Sequence, residues 1–211
     1  MRDRSAPLTA ADVEGLAWDK MGGLLPAIVQ DRATSAVLMV GYMDRAALSA
    51  TLESGFATFH SRSRQRLWRK GETSGSVLRV ESVRADCDGD ALLVLATPTG
   101  PTCHLGTTSC FGEPDAGPAW LGELARIVKS RAGSDATESY TARLLAGEPS
   151  RIAQKVGEEG LEVALAAVTR NADGLAEEVA DLLYHLAVLM HSKGLRWEQV
   201  IAVLRERHRS G

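Results

Sequence analysis

Val77-Leu78-Arg79-Val80-Glu81-Ser82-Val83-Arg84-Ala85, then Asp86-Cys87-Asp88-Gly89-Asp90, then Ala91-Leu92-Leu93-Val94-Leu95-Ala96 is the stretch that decides the fold of the first half of the chain. Two β-prone runs flank an Asp-Gly turn, which predicts a β-hairpin. Outward from it, Ala36 to Val40 predicts a buried strand and Ala57 to His60 another. Between these, Asp44 to Ser54 predicts a helix, with Asp44 as N-cap and Gly55 just beyond the end.

The second half has a different period. Leu121 to Arg131, Glu138 to Ala146, Ser150 to Arg170, Leu175 to Lys193 and Trp197 to His208 all carry helical spacing, punctuated by Gly147, Asn171, Gly174 and Gly194. Between the two dialects, Gly112 to Pro118 has no periodicity and two prolines, which deny it regular hydrogen bonding. The expected organisation is an α+β, β-rich domain over 1–113, a linker over 114–119 and an all-α helical bundle over 120–211.

Composition narrows the function. The chain has 211 residues, 45% apolar and 24% charged, so it is globular rather than disordered. A net charge of −3 argues against a nucleic-acid partner. No apolar stretch approaches the ~20 residues that span a bilayer. The first residues carry Asp3, Asp12 and Glu14 and lack the apolar run of an export signal. Three cysteines without such a signal suit free or metal-bound thiols in a reducing cytoplasm.

Three groups of residues carry chemistry. Asp86, Asp88 and Asp90 alternate with Cys87; in extended backbone the carboxylates share a face, a donor set suited to Mg²⁺, while Cys87 points away. An EF-hand loop is excluded, because the glycine comes too early and the twelfth position is Thr97. Cys103 and Cys110 add two thiols to Cys87, and three protein ligands leave the fourth zinc position open for water. His104 stands beside them as a proton carrier. Small buried cysteines and ordinary Asp-Gly turn chemistry account for the same residues without metal.

Between His60 and Gly75, Arg62, Arg64, Arg66, Arg69 and Lys70 oppose only Glu72. The segment suits a phosphate ester, with Gly71 and Gly75 allowing close backbone approach, or else a solvated loop. No P-loop is present. On the helices, Glu158, Glu159 and Glu162 fall within one turn, and Glu178 and Asp181 are three apart. Acids beside an apolar stripe on two helices repel one another unless a cation lies between them, so one or two Mg²⁺ ions holding a polyphosphate fit. An exposed acidic face with lysine partners is the alternative.

Together these residues are similar to two known families. The front half resembles phosphoribosyl-AMP cyclohydrolase in Ser61-Arg62-Ser63-Arg64, Leu67 through Gly75, Asp86 through Asp90, Thr99 through His104 and Ser109-Cys110-Phe111. The back half resembles phosphoribosyl-ATP pyrophosphatase, a relative of the all-α nucleotide pyrophosphatases, in Lys155 through Glu162 and Glu178 through His185. That order is the order of the bifunctional histidine-biosynthesis enzyme, over roughly residues 20–208. Ser76 and His60 depart from the pattern, where asparagine and an aromatic residue are common.

The resemblance implies zinc on Cys87, Cys103 and Cys110, with ligands drawn from both subunits of a homodimer. It implies Mg²⁺ on Asp86, Asp88 and Asp90, and again on Glu158, Glu159, Glu162, Glu178 and Asp181. Substrate contacts fall to Arg62, Arg64, Trp68, Lys70, Gly71, Glu72, Thr73, Ser74 and Lys155, and proton transfer to His104. The implied reactions are hydrolysis of phosphoribosyl-ATP to phosphoribosyl-AMP and pyrophosphate, then opening of the adenine ring between N1 and C6. Two rival readings are a general nucleoside triphosphate pyrophosphatase with a vestigial front domain, and a zinc-stapled dimerisation module without activity.

Overall fold

The structure, a computed structural model, describes residues 3, 6–113 and 117–209; linker positions 114–116 lie outside the described residues. The chain divides into two compact units, 1–119 and 120–211.

The first unit is built on a four-stranded sheet in the order β2-β1-β6-β5, from β1 (Leu25–Asp31), β2 (Val37–Met43), β5 (Leu78–Ala85) and β6 (Leu92–Pro98). The expected hairpin is β5–β6, antiparallel with Ala85 opposite Leu92. A two-stranded ribbon, β3 (Thr58–Ser61) with β4 (Arg66–Arg69), pairs as a sheet of its own and is tied to the first by the bridge between Phe56 and Arg79. Helix α1 (Arg45–Ser54) has Asp44 as its N-cap, accepting the Ala47 amide, and Gly55 at its C-terminal end.

Strand β1 was not expected. It runs parallel to β6 from Ala27↔Leu92 to Asp31↔Ala96 and antiparallel to β2. Pro26 lies just before the β6 register begins, so its missing N–H breaks no bond to that neighbour. Leu25, Ala27 and Val29 alternate into the core against Leu38, Leu48, Phe59, Leu78, Leu92 and Val94. Each fully buried leucine there contributes about 2 kcal/mol. Trp18 closes one side, its indole N–H donating to the Val13 carbonyl at 2.7 Å.

The basic segment also differs from a plain loop. Arg66 to Arg69 form β4, paired with β3, and Trp68 stacks at 5.9 Å on the buried Phe59. The tip between the two strands, Arg62 to Gln65, is a turn, closed by the Gln65 side chain on the Arg62 carbonyl at 2.6 Å.

The second unit is all α: α2 (Leu121–Arg131), α3 (Tyr140–Ala146), α4 (Pro149–Thr169), α5 (Ala172–Ser192) and α6 (Trp197–Arg207). Pro149 sits in the first turn of α4, where its lack of an N–H is harmless. Arg170 and Asn171 alone join α4 to α5, and Asn171 caps α5 by accepting the Gly174 amide at 3.0 Å. Val128, Leu144, Ile152, Ala187 and Val188 form its core. Among the described residues no helix is long and apolar enough to cross a membrane.

Candidate functional site

In the first unit the donors collect at the β5–β6 turn. Asp86 closes it: Oδ1 accepts the amides of Asp90 (3.0 Å) and Ala91 (3.2 Å). Because the backbone bends from Cys87 to Asp90 instead of staying extended, the expected alternation fails. Cys87 joins the acids, and donor atoms of Asp86, Cys87 and Asp88 lie within 4.8 Å of one another. Asp88 and Asp90 both grip the Lys20 ammonium, which reaches them from the 3₁₀ turn Trp18–Met21. The Lys20 hydrogen bond holds the Asp88 carboxyl below its ordinary range, and the two aspartates raise the lysine's pKa.

Cys103 and Cys110 sit on the loop after β6. The Leu105 amide points at the Cys103 sulfur (3.5 Å) and lowers that thiol's pKa. Desolvation raises that of Cys110, and the neighbouring Cys103 adds to the rise. Among the described residues, Cys87 does not join these two thiols in a cluster within one chain. His104 is exposed, with Nδ1 4.0 Å from the Cys103 sulfur.

The basic residues divide. Arg62 lies over the Tyr42 ring at 4.1 Å, and Arg64 and Lys70 border the same ribbon. Glu72 is occupied structurally: it pairs with Arg66 at 3.0 Å and accepts the Arg69 amide at 3.3 Å, and the arginine lowers its pKa. Trp68 is half-buried against the core. Gly71 through Gly75 form a tight turn, Gly75 N–H to Gly71 carbonyl at 2.9 Å, that exposes Thr73 and Ser74.

In the second unit α4 and α5 bring Glu159, Glu178 and Asp181 together, their carboxylate oxygens within 4.8 Å. Glu159 and Glu178 are buried, an unusual place for acids without a cation. Glu162 belongs to the same group by its field: the carboxylate of Glu159 foremost, with slight desolvation and Glu178, raises its pKa. Glu158 is turned to Lys155 (2.9 Å) and Gln154 (2.8 Å), and Lys155 also reaches Glu159 at 3.6 Å. Arg170 holds Glu178 at 2.5 Å.

Two neighbours carried no expected role. Lys20 stands 68 residues from Asp88 and bears no periodic relation to it. His185 falls at the end of a quoted motif, yet its contact with Glu159 depends on how α4 packs on α5.

Each of the two units gathers donors of the kind that hold a metal ion, and comparison with known proteins makes the chain a bifunctional, metal-dependent hydrolase. The family profile of phosphoribosyl-AMP cyclohydrolase matches residues 39–112, and that of phosphoribosyl-ATP pyrophosphohydrolase matches 121–208. The histidine biosynthesis bifunctional protein of Salmonella typhimurium is 52% identical over 201 residues, covering 95% of this chain and 99% of its own. That of Escherichia coli gives the same figures, and that of Shewanella oneidensis is 51% identical over 200 residues, 95% of this chain and 94% of its own. The chain belongs to the family of bifunctional histidine-biosynthesis hydrolases.

Proposed function

We propose that the helical unit hydrolyses phosphoribosyl-ATP to phosphoribosyl-AMP and pyrophosphate, and that the front unit then opens the adenine ring of the product between N1 and C6. The observation that carries the first step is the burial of Glu159 and Glu178 against Asp181. An all-oxygen set of this kind suits Mg²⁺, with Glu162 beside it and Glu158 at its edge, and the ion supplies charge neutralisation of the polyphosphate. Lys155 swings between Glu158 and a phosphate oxygen, as its two carboxylate contacts allow.

For the second step, Cys87, Cys103 and Cys110 fit zinc, which when bound supplies a water of lowered pKa near neutral pH. A homodimer completes this set, since Cys87 stands apart from the other two thiols within one chain. Exposed Leu105 and Phe111 beside the thiols, and Leu161, Leu165 and Val168 along α4, are faces suited to a second copy. Asp86, Asp88 and Asp90 fit Mg²⁺, with Lys20 as the cation that Asp88 and Asp90 hold otherwise. Arg62, Arg64 and Lys70 bind phosphate, and Thr73 and Ser74 offer hydroxyls on the turn beside them. His104 takes one proton from the attacking water and gives it to N1 as the C6–N1 bond breaks, while the second water proton passes to the exocyclic nitrogen and the oxygen stays on C6 as the carbonyl of a carboxamide. The compartment is the cytoplasm, where thiols stay reduced.

The test supplies phosphoribosyl-ATP with Mg²⁺ and Zn²⁺ and follows pyrophosphate and the ring-opened product separately. Cys103→Ala abolishes ring opening and leaves pyrophosphate release intact. Full ring opening by that variant, or by wild type after exhaustive chelation, refutes the zinc assignment.

A further inference from the structure

His185 is a buried titratable side chain with no part in the chemistry above. It lies on α5 with Nδ1 2.9 Å from the backbone carbonyl of Asp181 and 3.5 Å from Oε1 of Glu159. A carbonyl only accepts, so Nδ1 carries the proton. The same N–H faces the carboxylate of Glu159. Nε2 is then the acceptor for the Tyr140 hydroxyl, 3.3 Å away on α3. Next to it, Thr141 and Tyr184 join their hydroxyls at 2.7 Å, and the Tyr184 ring meets the imidazole edge-on at 5.1 Å. The ring is therefore fixed on three sides by α3, α4 and α5.

We propose that His185 is a positioning residue for the acid centre: its Nδ1–H orients the Glu159 carboxylate on α4 while anchoring the backbone of Asp181 on α5, with Tyr140 setting the tautomer. This rests on the reading that Glu159, Glu178 and Asp181 hold the divalent ion. Groups that orient a metal-binding carboxylate affect affinity strongly, because a freely rotating ligand must be ordered when the ion binds. The imidazole meets the Glu159 carboxylate on α4 and the Asp181 backbone on α5 at once, and so ties together the two helices that carry the acids.

The experiment measures Mn²⁺ affinity of the full chain, by calorimetry or by the paramagnetic signal of free ion, in wild type and five variants. Circular dichroism melting accompanies each. His185→Asn keeps an N–H at the Nδ1 position and binds within about threefold of wild type. His185→Gln keeps only the Tyr140 end and, like His185→Leu, weakens binding by about 10–100-fold. Tyr140→Phe, which leaves Nδ1 and its partners in place, has an intermediate effect of a few-fold.

Equal affinity of folded Gln and Asn variants overturns the proposal, because packing alone does not distinguish them in this way. If His185→Leu does not fold, that comparison still decides. A Glu159→Gln/Glu178→Gln double variant binding Mn²⁺ at this centre as wild type does would instead sink the reading of the acids themselves.

Discussion

Asp44 serves two partners at once: Oδ1 accepts the Ala47 amide at 2.7 Å and Oδ2 lies 2.8 Å from His60 Nδ1. The first contact caps α1, and the second ties that cap to β3. The histidine at position 60 is thus held by a carboxylate rather than left to the ribbon alone. Asp44→Ala loses both contacts and lowers stability by about 2 kcal/mol. His60→Phe keeps the cap and costs about 1 kcal/mol. Urea unfolding of the two variants checks the order, and a larger loss for His60→Phe would contradict it.

Gly71 and Gly75 share a left-handed backbone but not a neighbourhood. At Gly71, φ is +81° and an added Cβ falls 2.4 Å from the Ser76 carbonyl oxygen; at Gly75, φ is +78° and the space is open. Alanine at Gly75 meets only the conformational penalty, about 1–2 kcal/mol. Alanine at Gly71 meets that penalty and must also displace backbone, for a total of about 3 kcal/mol or more. Equal midpoints in urea for the two variants would show that the turn adapts freely.

The two loop thiols differ in reactivity. An amide hydrogen bond from Leu105 favours the Cys103 thiolate, while desolvation and the charge of the neighbouring Cys103 disfavour that of Cys110, although Cys110 is the more exposed of the two. Thiolate is the nucleophile, so after chelation at pH 8 iodoacetamide labels Cys103 several-fold faster than Cys110. Raising the pH narrows the gap as Cys110 ionises. Peptide mass mapping against time reads both rates, and zinc protects both sites.

Most of the fold was legible where its signals are local. The Asp-Gly turn between two β-prone runs announced β5–β6, and the Asp44 and Gly55 caps announced α1. Helical acids at three- and four-residue spacing announced the α4–α5 face. Strand β1 escaped because its partner β6 is distant in sequence and parallel, with no turn to mark the pairing, and because Pro26 weakens the strand pattern. Strand β4 was hidden by charge: Arg66 and Arg69 flank only Leu67 and Trp68, and the strand depends on Trp68 reaching Phe59. At the candidate sites, residue types and spacing picked out donors that the fold gathers in part: Glu159 meets Glu178 and Asp181, and Cys87 meets Asp86 and Asp88. Lys20 and His185 act through tertiary contacts that no local pattern encodes.

Glu162 makes the metal-free helical unit strained in a testable way. Its pKa is raised above the ordinary glutamate value by Glu159 first, then by slight desolvation and Glu178, although the side chain itself is exposed. The folded state therefore binds this proton more tightly than the unfolded chain does. Stability from that preference is complete below the unfolded glutamate pKa and is lost as pH rises through the folded one. At pH 7 the ionised side chain opposes folding, and a divalent ion among the acids reverses the sign. Glu162→Gln consequently melts higher than wild type without metal at pH 7, and its melting temperature changes less between pH 4 and 6. Saturating Mg²⁺ raises the melting temperature of wild type more than that of the variant. A wild-type midpoint unmoved by Mg²⁺, or a variant that melts lower in its absence, would mean that Glu162 does not face a cation site.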